Sequence, residues 1–280
     1  MIAKRLLKSL SVKQGIKYNS PESAIDIPAF IAFHALDVTE ILRPLEDFKT
    51  FNEFFYRQLK PTARPVSEPD NNARMVSCAD CRMMAFDTVT SATQIWIKGR
   101  DSSVEKLLGP NYKDVADRYE GGALGIFRLA PQDYHRFHSP VSGTVGKMTM
   151  IEGEYYTVNP QAIRTSLDVY GENARKVVPI KSEDFGLVMT VWVGAMSESY
   201  PFVHHLIIAN ETVVGSILTS VEEGQHVARA DELGYFAFGR FLSSTPLSML
   251  MDRWIYHRSA VRERYIGMGR GPTSKRTGQY

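Results

Sequence analysis

The sequence predicts an α+β fold in which a helical N-terminal segment packs on a mostly antiparallel β domain, a sandwich or a distorted barrel. Two observations predict this class. Helix-start signals and aromatic residues at helical spacing occur in residues 1–65, whereas from about residue 70 the chain breaks into short β-rich segments separated by turn residues. The predicted units are therefore a helical segment at 1–65, a β domain at 66–250 and a basic tail at 251–280.

The helical segment has two marked helix starts. Ser20 is followed by Pro21 and Glu22, a cap residue followed by proline at the first helical position. Thr50 and Glu53 form a capping box, in which the threonine accepts from the backbone at Glu53 and the glutamate reaches back. The apolar residues at helical spacing are Phe51, Phe54, Phe55 and Leu59. Such a face packs on a domain or lies on a membrane, and core packing is favoured.

The β domain is predicted from segments such as "RMMAFDTV", "ALGIFRLA" and "LVMTVWVG", which are short and rich in β-branched or aromatic residues. One helix interrupts them near "SSVEKLLGP", where Gly109 and Pro110 end it. The length of 280 residues is near the upper limit for one hydrophobic core. We therefore expect one catalytic-sized domain with an appended segment.

Composition limits the classes of partner. A net charge of +2 gives no case for nucleic acid, which requires a concentrated basic surface. No apolar run approaches the roughly 20 residues that span a bilayer, and the N-terminal stretch contains too many lysines for a secretory signal. We expect peripheral membrane contact at most, and an intracellular protein that is cytoplasmic or bound to an internal membrane.

The two cysteines, Cys78 and Cys81, are spaced C-x-x-C in a segment that has the pattern of strand, turn and strand. A redox pair would normally begin a helix, so a redox role is disfavoured. The pair His135 and His138 adds a zinc hypothesis, but the stretch between Cys81 and His135 is far longer than in a compact zinc finger. We expect no metal.

Three segments carry residues that are suited to nucleophilic catalysis. They contain Asp80, the histidines His135 and His138, and the hydroxyl run with Ser243 and Ser244. An imidazole can remove the hydroxyl proton of a serine, and a carboxylate can hold that imidazole in the required tautomer. No G-x-S-x-G motif is present, so an ordinary α/β-hydrolase is disfavoured. Each segment alone is also compatible with a turn or a packed histidine.

The chain resembles the pyruvoyl-dependent phosphatidylserine decarboxylases, particularly their fungal members. The motifs that carry the resemblance, in order, are "KQGIKYNSPES", "FKTFNEFFYRQLKPTARPV", "ADCRMMAFDTV", "WIKGR", "FRLAPQDYHRFHSPVSGTV", "YYTVNPQAI", "VVGSI" and "DELGYFAFG". The resemblance implies a self-processing enzyme. A serine after the last motif would attack its own preceding peptide carbonyl, and the ester would break by elimination into two chains. The smaller chain would begin with a pyruvoyl group made from that serine.

The resemblance also implies roles for the candidate residues. Asp80 would orient His138, His138 would act as the base toward the serine, and His135 would assist decarboxylation or protonation. The pyruvoyl carbonyl would take up the amine of phosphatidylserine and draw electrons from the bond to the carboxylate, so that phosphatidylethanolamine and CO2 result. No metal or separate cofactor is implied. The helical segment would face the membrane, and a homo-oligomer is among the states left open.

The sequence departs from the family pattern at two places. The reactive serine of the family directly follows the glycine of the last motif, whereas here Arg240, Phe241 and Leu242 separate Gly239 from the hydroxyl run. Ser244, in the Ser-Thr doublet, is the first candidate for the pyruvoyl precursor and Ser243 the second. Residues 197–212 form an atypical insertion, and little of the family's next strand is visible beyond Thr245.

These departures leave alternatives open. One is a catalytically inactive or unprocessed lipid-binding pseudoenzyme, whose C-terminal third includes sequence from retained non-coding segments or a shifted frame. A genuine divergent paralogue is the competing explanation for the departures. A second substrate reading within the same chemistry is decarboxylation of a free amino acid. The adjacent His204 and His205 lie in the insertion and are not assigned as ligands.

Overall fold

The computed structural model describes residues 13, 15–90, 103–119, 121–154, 156, 168–194, 196–198, 211–213, 216–238 and 247–251. Within these ranges the helices are short. The α-helices are α1 (Asp26–His34), α2 (Phe51–Phe55), α3 (Val104–Leu108), α4 (Lys113–Ala116) and α5 (Val169–Glu172). The 3₁₀ turns are Pro21–Ile25, Val38–Glu40, Leu45–Asp47, Pro110–Tyr112 and Asp117–Tyr119. None of these described helices has the length and apolar character needed to cross a bilayer.

The helix starts expected from the sequence are present. Pro21 opens a 3₁₀ turn that leads into α1, although the Ser20 side chain makes no capping hydrogen bond. At α2, the Thr50 hydroxyl accepts from the Glu53 backbone N–H at 3.1 Å. The Glu53 carboxylate reaches back to the N–H of Lys49, at 2.9 Å, rather than to that of Thr50. The capping box therefore forms with its return bond displaced by one residue.

The helix expected near "SSVEKLLGP" is α3. The Ser103 hydroxyl caps it by accepting from the N–H of Lys106 at 3.1 Å. It ends at Gly109, whose φ of 77° lies in the left-handed region that favours glycine. Both of its ends are therefore set by local sequence.

The described residues of the β domain form three antiparallel sheets. The strands are β1 (Arg82–Phe86), β2 (Ala123–Arg128), β3 (Arg136–His138), β4 (Gly143–Val145), β5 (Thr149–Ile151), β6 (Arg175–Ser182), β7 (Gly186–Val193), β8 (Met196–Glu198), β9 (Glu211–Val213), β10 (Ser216–Thr219), β11 (His226–Val227), β12 (Glu232–Ala237) and β13 (Leu247–Met251). The large sheet has the order β1-β2-β13-β7-β6-β4-β11, with β5 paired to β6. A second sheet has the order β10-β12-β3, and β8 pairs with β9.

The large sheet is buried on both faces, and β7 shows this most clearly. Val188 and Trp192 belong to one hydrophobic cluster, whereas Met189, Val191 and Val193 belong to another. This alternation follows from the strand geometry, which points successive side chains to opposite faces. A continuous apolar run in β7 therefore reflects a sheet that is covered on both sides.

The two faces are covered by different parts of the chain. Helix α2 and the three-stranded sheet cover the first face, and Phe137 of β3 lies against Trp192 with ring centroids 4.0 Å apart. The side chains of Phe54 and Phe55 are 0% and 1% exposed, so the aromatic face of α2 packs in the core, as favoured from the sequence. Helices α3 and α5 contribute Leu107, Leu108, Val169 and Tyr170 to the cluster on the second face.

The α+β class predicted from the sequence is confirmed, and the sheets are antiparallel. The described strands do not close into a barrel, because β1 and β11 are the two ends of the large sheet. Beyond Thr245, where little of a strand was visible in the sequence, β13 pairs with β2 on one side and β7 on the other. The ends of the atypical insertion form the hairpin of β8 and β9. The basic tail from residue 252 lies outside the described residues.

Candidate functional site

The two candidate histidines lie on and beside β3, next to the segment that carries Asp80. The N–H of His138 donates to the carbonyl of Cys78 at 2.8 Å, which aligns residues 78–80 with the end of β3. On its other side β3 pairs with β12, and the N–H of Phe236 donates to the carbonyl of His135 at 2.9 Å. Backbone pairing therefore brings three sequence-distant segments together.

His138 is oriented by a backbone carbonyl. Its Nδ1 lies 2.8 Å from the carbonyl oxygen of Ala230. A carbonyl oxygen only accepts, so Nδ1 carries the proton and Nε2 has the free lone pair that a general base needs. Ala230 has a φ of 72°, in the left-handed region, where a non-glycine residue costs about 1–3 kcal/mol. The surrounding structure thus maintains a strained residue at the point that fixes this tautomer.

His135 is oriented in the same manner but is buried. Its Nδ1 lies 2.8 Å from the carbonyl oxygen of Asp133, and its ring is stacked on Phe55 with centroids 3.8 Å apart. Burial, and next the positive charge of Arg57, lowers the pKa of His135 to about 3. At neutral pH this imidazole is uncharged, with the lone pair on Nε2.

Asp80 is paired with an arginine in this structure. Its Oδ2 accepts from Nε of Arg64 at 2.6 Å, and the same guanidinium binds Glu40 at 2.9 Å. The hydrogen bond that orients the His138 ring joins its Nδ1 to the carbonyl oxygen of Ala230. The expected orientation of His138 by Asp80 therefore stays a prediction, although the two residues lie on adjacent segments.

Sequence reasoning missed two charged residues beside the histidines, Asp133 and Arg57. Burial raises the pKa of Asp133 to about 6, and the charge of Asp80 acts in the same direction against the hydrogen bond from Ala130 N–H. The signal that could have found Asp133 is its position directly before the "YHRFH" motif. Asp133 also forms a turn, and an aspartate with that role alone would give the same sequence signal.

Arg57 is 6% exposed and lies over the ring of Phe54, 5.0 Å from its centroid. Its Nη2 donates to the carbonyl of Gln132 at 3.2 Å, while Nη1 is buried and has no hydrogen-bond partner among the described residues. Burial lowers the pKa of this guanidinium to about 10. A buried unpaired donor is costly, so this group is suited to bind an anion that enters the site.

Cys78 and Cys81 are free thiols. Burial raises the pKa of both, which disfavours the thiolate that redox chemistry or metal binding requires. No cluster of three or more histidine, cysteine, aspartate or glutamate ligands occurs in the parts of the chain that the structure describes. The zinc hypothesis gains no support from these residues.

Ser243 and Ser244 lie outside the described residues. The last described residue before them is Phe238, which directly follows β12. Strand β12 is antiparallel to β3, with Glu232 opposite His138 and the N–H of Phe236 bonded to the His135 carbonyl. The chain that leads to the serines therefore leaves β12 at the end near His135. The site thus combines a base with a free Nε2 and a neighbouring strand that runs into the hydroxyl cluster.

Comparison with known proteins identifies the family. Residues 51–200 match the family model described as phosphatidylserine decarboxylase. The chain is 53% identical over 237 residues to phosphatidylserine decarboxylase proenzyme 2 of Komagataella phaffii. It is also 35% identical over 267 residues to the phosphatidylserine decarboxylase proenzyme of Clostridium novyi, covering 95% of this chain and 82% of that protein. The chain belongs to the phosphatidylserine decarboxylase family.

The length of the match differs between relatives of the phosphatidylserine decarboxylase family. The alignment to the Komagataella phaffii protein covers 84% of this chain and 22% of that protein. A second fungal relative, proenzyme 3 of Schizosaccharomyces pombe, is 52% identical with the same coverage of 84% and 22%. The chain therefore spans about a fifth of the length of the fungal relatives that it matches.

Proposed function

We propose that this chain is a self-processing phosphatidylserine decarboxylase, which converts phosphatidylserine into phosphatidylethanolamine and CO2 through a pyruvoyl group formed from Ser244 or Ser243. One observation carries the proposal. His138 has its proton fixed on Nδ1 by the Ala230 carbonyl, so its Nε2 is available as a base beside the strand that leads to these serines. The family membership and the relatives' designation as proenzymes support the same reading.

Self-cleavage requires a proton acceptor at two steps, the attack by the hydroxyl and the later elimination of the α-hydrogen, and no oxidant. The serine oxygen attacks the carbonyl carbon of the preceding residue, its proton passes to Nε2 of His138, and the peptide nitrogen leaves as an amine. An ester then joins the two parts of the chain. Removal of the α-hydrogen of the former serine breaks the ester C–O bond, leaving a carboxylate on the first chain and a dehydroalanine on the second. Water replaces the dehydroalanine nitrogen, which is released as ammonia, and the pyruvoyl group remains.

The described residues fit a covalent group of this kind because they supply proton transfer and an anion-binding donor. When present, the pyruvoyl group supplies a carbonyl that withdraws electrons from the bond that breaks. Nη1 of Arg57 is suited to bind the substrate carboxylate or phosphate. An anionic substrate also raises the pKa of His135 from about 3, because nearby negative charge favours the imidazolium. His135 would then take up a proton with the substrate and return it to the carbon that loses CO2.

We further propose that the helical segment faces a lipid surface as a peripheral element. Eight large apolar side chains are notably exposed in the described ranges, and six of them lie between residues 16 and 45. These six are Ile16, Ile25, Phe33, Val38, Leu42 and Leu45. Their concentration on one segment is typical of an interaction surface. The same segment packs on the site through α2, so the lipid would enter near the histidines.

The intact mass of the purified protein tests the proposed function. We expect two chains, the smaller beginning with a pyruvoyl group in place of Ser244, or of Ser243 if that serine reacts. His138→Ala should leave one uncleaved chain, since it removes the proposed acceptor of the hydroxyl proton. His226→Ala, which removes an exposed histidine of β11, is the matched control and should cleave normally. A wild-type protein that remains one chain would contradict the proposal and favour the pseudoenzyme.

Comparing CO2 release from phosphatidylserine in vesicles with CO2 release from free serine distinguishes a lipid decarboxylase from an amino-acid decarboxylase. We expect CO2 release from vesicles that contain phosphatidylserine and little from the free amino acid. Turnover of the free amino acid alone would assign the chain to the second class.

A further inference from the structure

The end of β12, from which the chain continues to the serines, is held by a side chain of the helical segment. The N–H of Phe238 donates to Oδ1 of Asn52 at 2.8 Å. In return, Nδ2 of Asn52 donates to the carbonyl of Phe238 at 2.6 Å. One side-chain amide thus pairs with both backbone groups of one residue, as a neighbouring strand would.

The amide of Asn52 has no freedom to turn. Its oxygen must face an N–H and its nitrogen a carbonyl, so the two bonds to Phe238 fix its orientation. The second proton of Nδ2 is donated to Oδ1 of Asn19 at 2.8 Å. Nδ2 of Asn19 lies 3.3 Å from the same Phe238 carbonyl. Asn52 is 3% exposed, and each polar atom of its side chain has a partner.

Aromatic contacts also hold the Phe238 side chain against the helical segment. Its ring centroid lies 4.3 Å from that of Phe55 and 4.6 Å from that of Tyr18. Phe238 itself is 4% exposed. Backbone and side chain of this residue are therefore both fixed by the helical segment, at a point where strand pairing by β12 has ended.

Helix α2 connects this strand end to the histidines. Asn52 lies on α2 and holds Phe238, while Phe55 of the same helix stacks on His135 at 3.8 Å. Ser243 follows Phe238 by five residues, and five extended residues reach at most about 17 Å. The position of Phe238 thus limits which points around the two histidines the serine hydroxyl can reach.

We infer that Asn52 is a positioning residue for self-cleavage, because its amide holds the strand end that leads to the reactive serine. The inference rests on the proposed function. The hydrogen bonds of the Asn52 side chain in the described residues go to Phe238 and Asn19. Asn52 acts by limiting the conformations of the chain before the serine, so its loss lowers the fraction of molecules in which the hydroxyl is placed for attack.

The test compares rates of self-cleavage by intact mass after synthesis of the whole chain. Asn52→Leu keeps the side-chain volume and removes both bonds to Phe238, and we expect cleavage to slow by about ten-fold or more. Thr50→Ala is the matched control, because it removes the cap of α2 but leaves the amide in place. It should lower the melting temperature while cleavage stays within about two-fold of the wild type.

Treatment with hydroxylamine shows whether the defect lies in the attack by the serine or in a later step. Hydroxylamine cleaves esters and leaves amides intact, so it releases the smaller chain only from molecules in which the serine has already attacked. We expect hydroxylamine not to restore release in Asn52→Leu, since the missing step is the attack itself. Release at the wild-type rate would place the defect after the attack and overturn the inference.

Other outcomes are equally decisive. If Asn52→Leu does not fold, Asn19→Ala replaces it, because Asn19 is exposed and supports the same carbonyl. Its cleavage should then be slower than that of the wild type. Wild-type rates in the folded variants, or equal slowing by Thr50→Ala, would overturn the positioning role alone. A wild-type chain that does not cleave would instead overturn the proposed function together with this inference.

Discussion

Two backbone carbonyls determine which nitrogen of each histidine carries the proton. Asp133 provides the carbonyl for His135 and Ala230 the one for His138. The sequence indicated the histidines themselves, through the motif that contains them. It could not indicate these partners, because a carbonyl is present at every residue and only the fold selects one. The same holds for the pair of Asp80 with Arg64, whose side chains meet through the tertiary structure.

The carboxyl group of Asp133 predicts a pH-dependent stability. Its folded pKa of about 6 is above the ordinary value of 3.8, so the folded state favours the protonated form. The unfolded chain therefore releases this proton at lower pH, and the folded state loses stability as pH rises from about 4 to about 6. His135 acts oppositely, since its pKa of about 3 makes the fold lose stability as pH falls below 6.5.

Asp133→Asn should accordingly stabilise the protein at pH 7 by about 1–3 kcal/mol and have little effect at pH 4. The amide oxygen can still accept from the Ala130 N–H, so the turn is retained. Urea unfolding at the two pH values measures the difference. Asp231→Asn is the matched control, because exposed Asp231 accepts from the Ala228 N–H in an equivalent turn. Equal effects of the two variants at pH 7 would contradict the role of burial.

At the scale of the element, strand β12 depends on one glycine. Gly234 pairs with Thr219 of β10 on one side and with Phe137 of β3 on the other. A Cβ at this position would overlap the Leu218 carbonyl and approach the ring of Phe137 at 2.8 Å. The close approach of three strands here is possible because the central residue has no side chain.

Gly234→Ala should therefore destabilise the protein by about 1–3 kcal/mol and disturb the pairing that places His138 beside β12. Thermal unfolding measures the first effect and intact mass the second, since displaced pairing should also slow self-cleavage. Gly146→Ala is a suitable comparison, because its nearest neighbour is the side chain of Pro179 at 3.2 Å, and its effect should be smaller. Equal stability of Gly234→Ala and wild type would show that β12 can shift without cost.

Elements with local signals were predictable, and those defined by distant partners were not. The cap of Thr50 and the end of α3 at Gly109 follow from neighbouring residues. Strand β13 has the sequence "LSMLM", which lacks the alternation that indicates a half-buried strand. It forms between β2 and β7, and the residues of those partners lie far away in the chain. The bond of Asn52 to Phe238 likewise joins residues that local patterns cannot relate.

At the scale of the whole molecule, the helical segment has two faces with different surroundings. Phe51, Phe54 and Phe55 are buried against the β domain, whereas Ile25 and Phe33 are 82% and 47% exposed. The sequence alone left open whether its aromatic residues face core or membrane. The structure assigns the aromatic residues of α2 to the core and leaves other apolar residues of the segment for the proposed lipid contact.

Replacing Ile25 and Phe33 together by aspartate should weaken binding to vesicles by about ten-fold or more, because two apolar side chains no longer enter the lipid surface. Cosedimentation with phosphatidylserine-containing vesicles measures the change. Leu218→Asp is the control, since Leu218 is 40% exposed but lies on β10, outside the helical segment. Binding that is reduced equally by the control, or unaffected in the double variant, would argue against this surface.

The central position of β13 changes what self-cleavage would produce. The candidate serines lie between β12 and β13, so a cut there leaves β13 on the smaller chain. That strand is hydrogen-bonded to β2 and β7, both of which belong to the larger chain. Severing the peptide would thus create a heterodimer whose subunits share one continuous sheet. Dilution alone would not separate them, because β13 would stay hydrogen-bonded to a strand on each side.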